Sequence, residues 1–260
     1  MKFILSLLLA MISFSTFSAP KSDLWPYWNK SDDASTLVVD HQDWQQLLDQ
    51  YLVSKGEYTL FKYASVSAKD KQVLANYLER LAKTDPLSLN KAQQYAYWVN
   101  LYNAITVQLI LDNYPVKSIT KLGGLFSFGP WGDEVITING KTLTLNDIEH
   151  RILRPIWNDP RTHYAVNCAS LGCPNLQHKA FTADNTESLL EQAAKSFINS
   201  DKGVLVNGNG ARLSSIYDWF GEDFGDKPEL IKHLSQYRAD LGTLDGKISY
   251  DYDWSLNDTK

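Results

Sequence analysis

Apolar positions along the chain change period, and the changes divide it into elements. Val73, Leu74, Tyr77, Leu78 and Leu81 share one face at helical spacing, predicting a surface helix over residues 68–81, and residues 41–52 follow the same pattern. Residues 90–111 differ. Ala92, Tyr95, Ala96, Trp98, Val99, Leu101, Tyr102, Ala104, Ile105, Val107, Leu109 and Ile110 leave almost no solvated face, which predicts a central buried helix. Asn90 with Gln93 supplies an N-cap and a reciprocal partner, while Asn113 and Pro115 mark the other end. Gln93, Asn100 and Asn103 fall on one stripe of this apolar cylinder, where buried amides must find partners.

Alternation and turn chemistry predict two hairpins. One runs from Val135 to Thr144 around Asn139-Gly140, and the other starts at Gly203 and turns through Asn207-Gly208-Asn209-Gly210. Between them the pattern predicts a helix over 146–157, a strand over 162–167 and a helix over 184–198. Asp226 with Glu229, and Pro228 in the first turn, open a helix to Tyr237; a last strand is expected over 247–254. Residues 22–36 read as a polar arm whose Trp25, Tyr27 and Trp28 lie against the body. Helices followed by hairpins and single strands favour an α+β fold over a doubly wound sheet.

The first residues change the picture of where the protein works. Lys2, an apolar stretch from Phe3 to Phe14 and the small residues up to Ala19 have the order of a secretory signal, expected as residues 1–18 with cleavage after Ser18 or Ala19. The stretch is too short to cross a bilayer, which needs about 20 helical residues. Residues 19–260 are then expected as one domain in the periplasm or outside the cell, with no membrane insertion after signal removal. Without Lys2, 24 basic side chains face 30 acidic ones, a net charge of −6 that argues against a nucleic-acid partner. Eight Trp, 14 Tyr and 10 Phe supply a core that needs no disulfide, so the two cysteines are not obviously structural.

Reactive side chains are densest between Asp159 and His178, and both cysteines, Cys168 and Cys173, lie there. A thiol of reference pKa near 8.5 is only about 3 % ionised at neutral pH, so a nucleophilic cysteine needs a neighbour that favours its thiolate. His163 is the nearest imidazole in sequence, and Glu149 on the preceding helix is a carboxylate that could orient it. On a straight strand His163 and Cys168 would stand about 16 Å apart, so the chain must turn sharply between them, or the base is His150 or His178. Other chemistry fits the same residues: a Cys168–Cys173 disulfide, Glu149 as a helix cap, an Asp159–Arg161 turn with its ion pair, or a zinc site of His163, Cys168, Cys173 and His178. The leading expectation is a thiol hydrolase or acyltransferase, working without a cofactor or metal on a peptide, an amide or a small thiol peptide such as glutathione. Backbone N–H groups near Ser170, or the Asn100 amide, would hold the oxyanion. A non-catalytic peptide-binding module with paired or inert cysteines is its rival.

Three separated blocks carry a family resemblance: Tyr97-Trp98-Val99-Asn100-Leu101-Tyr102-Asn103-Ala104, then Leu145 to His150 with Leu153-Arg154, then Asp159-Pro160-Arg161 through Cys173-Pro174. Over about residues 90–224 the chain resembles the family catalogued as domain of unknown function 547. The resemblance implies a fold similar to papain-like and transglutaminase-like thiol enzymes, with a central buried helix packed on a small antiparallel sheet. It also implies a site of Cys168, His163 and Glu149. Asn100 and Asn103 would point amides at that site or fix the loop bearing Cys168. Arg161, Asn167 and Ser170 join them as candidate substrate-binding residues.

Overall fold

The computed structural model describes residues 20–124 and 127–259, so the signal expected at 1–18 lies outside the described residues. The arm that follows packs as expected. Trp28 is buried and meets Trp98 edge-on, with ring centroids 5.2 Å apart. α1 (Gln42–Tyr51) buries Trp44, Leu47, Leu48 and Tyr51. It runs into a hairpin that the sequence pattern does not predict, β1 (Leu52–Lys55) against β2 (Tyr58–Phe61), closed at Gly56, whose φ of +62° suits a residue without Cβ. α2 (Ala68–Lys83) is capped by Ser67 and turns Leu74, Tyr77 and Leu81 inward.

α3 (Lys91–Asn113) is the central buried helix, and nearly every residue from Gln93 to Leu111 is inaccessible. Asn90 caps it by accepting the Gln93 N–H at 3.0 Å. The reciprocal half of the expected cap is absent, because Gln93 Oε1 accepts from the Val39 N–H of the arm instead. Its buried amides are satisfied by backbone. Asn100 bonds both the carbonyl (2.8 Å) and the N–H (3.0 Å) of Phe181, and Asn103 bonds Ala165 O (2.9 Å) and the Asn167 N–H (2.8 Å). The helix therefore holds two distant loops by their own peptide groups.

β3 (Glu134–Ile138) and β4 (Lys141–Thr144) form the expected hairpin, with Asn139 and Gly140 both at positive φ, as a type I′ turn requires. The following helix carries a π-helical segment, Asp147–Leu153, before α4 (Arg154–Trp157), in which the Arg154 N–H reaches Glu149 O five residues back. The carbonyls of His150 and Arg151 accept instead from Asp23 and Trp25 of the arm. The strand expected over 162–167 is a short helix, α5 (Thr162–Ala165), ending in an extended Val166. Its β-branched and aromatic residues pack inward as a single turn, because Asn103 takes the backbone groups that a sheet partner would have needed.

α6 (Thr186–Ile198), β5 (Val204–Asn207), β6 (Gly210–Ser214), α7 (Ile216–Trp219), α8 (Gly221–Phe224), α9 (Lys227–Tyr237) and β7 (Ile248–Asp251) complete the order. The capping box of Asp226 and Glu229 is present. β7 pairs parallel to β6, so the architecture is α+β with three small sheets rather than one. Two apolar clusters result: one surrounds α3, and a second gathers Tyr164, Phe197, Leu213, Tyr217 and Leu234. α5 joins them, with Ala165 in the first and Tyr164 in the second. Among the described residues, no helix is long and apolar enough to cross a membrane.

Replacing Asn100 by Ala leaves the buried Phe181 peptide groups without partners and is expected to cost roughly 2–4 kcal/mol in urea unfolding. A loss below about 0.5 kcal/mol would show that the clamp is not required.

Candidate functional site

The sharp turn needed between His163 and Cys168 is present. After α5, Val166 and Asn167 extend, Cys168 follows, and Ala169 adopts φ +56°, a left-handed conformation that a residue with a Cβ rarely takes. Asn167 closes the loop from inside, donating to Pro174 O and accepting from the Ala169 N–H. Cys173 Sγ accepts the Cys168 N–H at 3.0 Å, and both thiols are free. From outside, Leu171 and Gly172 donate to Ser255 O and Asp253 O. A Cβ on Gly172 would stand 2.7 Å from the Asp253 backbone nitrogen, so the approach needs glycine. Lys202 completes the support by donating to Cys173 O and Asn175 Oδ1, both at 2.7 Å, and burial pushes its pKa down to about 8.

Cys168 is half-buried, with its sulfur 2.9 Å from the Tyr252 hydroxyl and 3.2 Å from Ser170 Oγ. Those two hydroxyls are themselves 2.9 Å apart. Burial opposes ionisation of this thiol, but hydrogen bonds with Cys173, Ser170 and Tyr252 outweigh it and lower its pKa. Burial and the neighbouring Cys168 push Cys173 well up, and burial does the same to Tyr252, so the charge settles on Cys168 while Tyr252 remains a donor.

The imidazoles and carboxylates form a second cluster. His163 Nε2 is 2.6 Å from Asp223 Oδ2 on α8, while its Nδ1 is buried without a hydrogen-bond partner, 3.7 Å from Glu149 Oε1. Thus Asp223, not Glu149, is the carboxylate bonded to this ring. Arg154, its side chain only 1 % exposed, reaches Asp223 Oδ2 at 2.5 Å, Glu222 Oε1 at 2.8 Å, Pro20 O at 2.8 Å and His150 Nδ1 at 3.0 Å. The last contact makes His150 Nδ1 an acceptor. Burial, opposed by Glu149 and reinforced by Arg154, takes the His150 pKa down to about 4. Glu149 and Asp223 both stay ionised to about pH 2: burial opposes their charge, but His150, His163 and Arg154 win for Glu149, and hydrogen bonds from His163 and Arg154 win for Asp223. Phe220 stacks on His163, centroids 4.2 Å apart and planes 16° from parallel.

Both clusters open onto one cavity of about 390 Å³, lined by Glu149, His150, His163, Cys168 and Cys173 among others. The three catalytic candidates therefore line one cavity, but the hydroxyls of Ser170 and Tyr252, rather than an imidazole, are the side-chain groups hydrogen-bonded to the Cys168 sulfur. Ser170 is at the sulfur; Asn103 and Asn167 shape the loop from behind. Asn100 does not reach the cavity, because Phe181 occupies its amide. Arg161 is also elsewhere, bound to Asp159, Glu187 and Glu191. His178 is exposed and 2.9 Å from Ser54 Oγ, so neither the alternative base nor the four-residue zinc arrangement is assembled. Asn146 makes no side-chain cap, and Glu149 is buried at the cavity rather than serving a helix end. Among the described residues, no group of three or more His, Cys, Asp or Glu side chains is placed to hold a metal. Sequence reasoning missed Asp223, Tyr252 and Arg154. For Asp223 and Tyr252 the signal was the packing of acidic and aromatic residues into Trp219–Phe224 and Tyr250–Trp254, and for Arg154 its place in the second of the resemblance blocks.

Residues 86–198, which carry α3, Glu149, His163 and the Cys168 loop, match the model of a family described as a protein of unknown function, DUF547. No curated protein and no solved structure matches the chain.

The charges fix a pH dependence of stability. His41, like His150, has its pKa taken down to about 4 by burial, against about 6.5 in the unfolded chain. Between those values the unfolded chain binds more protons, so stability is lost as pH falls from 6.5 to 4, by roughly 3 kcal/mol for each histidine. Glu149 and Asp223, with pKa values held at about 2 in the fold, add to the loss below about pH 4.5. Urea unfolding should give a steep fall in stability as pH drops from 6.5 to 4, and a rise between about pH 8 and 10.5 as the buried Lys202 comes to match the unfolded chain in its neutral form; a profile flat from pH 6.5 down to 4.5 would mean that the two histidines are not buried in the folded protein.

Proposed function

We propose that this cavity is the active site of a thiol-dependent hydrolase or acyltransferase working outside the cytoplasm, in a fold of the papain-like or transglutaminase-like kind. The observation that carries the reading is the environment of Cys168: a thiol with lowered pKa, half-buried at a turn strained at Ala169, facing a cavity shared with His163. Support for export is the apolar and small-residue order of residues 3–19.

In this reading Cys168 gives its proton to His163, and its thiolate attacks the substrate carbonyl and forms a C–S bond, so that the carbonyl becomes an oxyanion. The Cys168 N–H is committed to Cys173 and the Ala169 N–H to Asn167, which leaves the Ser170 and Tyr252 hydroxyls as the donors nearest the new charge. Collapse breaks the bond to the leaving amine or alcohol, which takes a proton from His163. Water or a second nucleophile then gives its proton to His163 and releases the acyl group from sulfur. Nε2 of His163 is held by Asp223, so proton exchange falls to Nδ1, and Glu149 beside it stabilises the charged ring.

Alkylation by iodoacetamide at about pH 6, read by mass spectrometry, should modify Cys168 at least tenfold faster than a free small-molecule thiol, and Cys168→Ala should abolish the fast labelling. Asp223→Asn should lower turnover of any ester or amide substrate at least tenfold, because the ring loses its anionic partner. Labelling of Cys168 no faster than the free thiol would remove the catalytic reading and leave a binding module.

A further inference from the structure

Resting on the reading above, we infer that the group transferred or released through Cys168 is an uncharged apolar acyl group, aryl or medium-chain alkyl, seated along a ridge of aromatic rings. The ridge begins at the sulfur. Tyr252, whose hydroxyl bonds Cys168, has its ring centroid 4.5 Å from Trp254 and 4.8 Å from Trp219. Trp219 and Trp254 stack at 5.5 Å, and Trp131 continues the row 5.6 Å from Trp254. All four line the cavity that holds Cys168. An acyl chain bonded to the sulfur would thus run along the aromatic side chains that line the cavity, and burying such surface from water is its binding energy.

Charge points the same way. Among the described residues lining the cavity there is no lysine or arginine, and the carboxylate there is Glu149. The nearby cations are already committed: Arg154 to Asp223 and Glu222, and Lys202 to the Cys173 carbonyl and Asn175. A carboxylate on the acyl group would be desolvated in a cavity that already holds Glu149 and whose His163 is already placed between Asp223 and Glu149, which disfavours small anionic peptides on this side of the scissile bond. The volume of about 390 Å³ sets the size. At about 30 Å³ for each water-sized group, it accommodates on the order of a dozen heavy atoms.

The inference can be tested without turnover. Full-length Cys168→Ala protein, shown to be folded by its circular dichroism, would be titrated with octanamide and with the amide of the same length ending in a carboxylate. Quenching of tryptophan fluorescence reads the binding. Octanamide is expected to bind at least tenfold tighter than its anionic counterpart, and Trp219→Ala or Trp254→Ala in the same background should weaken it at least fivefold. Equal or tighter binding of the anionic amide, or no saturable binding of octanamide at millimolar concentration, would overturn the inference. Because the sulfur is absent from this experiment, its failure is distinct from a failure of Cys168 to react with iodoacetamide, which bears on the catalytic reading alone.

Discussion

The arrangement depends on one buried amide. Asn103, on a helix turn with no access to water, has both its amide groups occupied by the backbone of Ala165 and Asn167. An amide desolvated this deeply must keep its partners, because a buried polar group left unmatched costs more than the bond itself contributes. The stretch that delivers Cys168 is therefore fixed to the central helix rather than to a sheet. Asn167, thus anchored, bridges Pro174 and the Ala169 N–H and bends the chain into its left-handed turn. Cys168 is exposed to the cavity because its neighbours on both sides are held from below.

The charged half of the site is a balance of desolvated groups. Glu149 and Asp223 would each favour protonation in isolation at these depths, and His150 is driven to its neutral form. One buried guanidinium, that of Arg154, settles the balance by touching Asp223, Glu222 and His150 at once. The planar fork of arginine can do this where lysine could not. Glu149 and His150, consecutive residues of the π-helical turn, both line the cavity. The turn also frees the His150 and Arg151 carbonyls to pair with the arm, and Pro20 on that arm accepts from Arg154.

Elements with a strong local signal were legible in the sequence. The buried helix, the Asn139-Gly140 hairpin and the capping box of Asp226 each rest on interactions within a few residues of one another. The stretch 162–167 departs from the strand that its pattern predicts because tertiary bonds from Asn103 decide its backbone, and the small β1–β2 hairpin carries only a single glycine as its turn signal. Cys168 and His163 stood out as candidates because cysteine and histidine are rare in the chain and the two lie close in sequence, and Glu149 stood out only by its place on the helix just upstream. Asp223 and Tyr252 did not, since their importance comes from contacts spanning 60 and 84 residues. Arg161 stood out for its charge but serves an ion-pair cluster away from the cavity.

The central claim is that hydrogen bonds with Cys173, Ser170 and Tyr252 favour the thiolate of Cys168 over its thiol. The most direct measurement is the ionisation of that thiol itself, followed through the pH dependence of its alkylation rate in the folded protein. The account predicts a midpoint below the free-cysteine value of about 8.5, moving upward in Tyr252→Phe. A midpoint at or above that value, unmoved by loss of the Tyr252 hydroxyl, would contradict it.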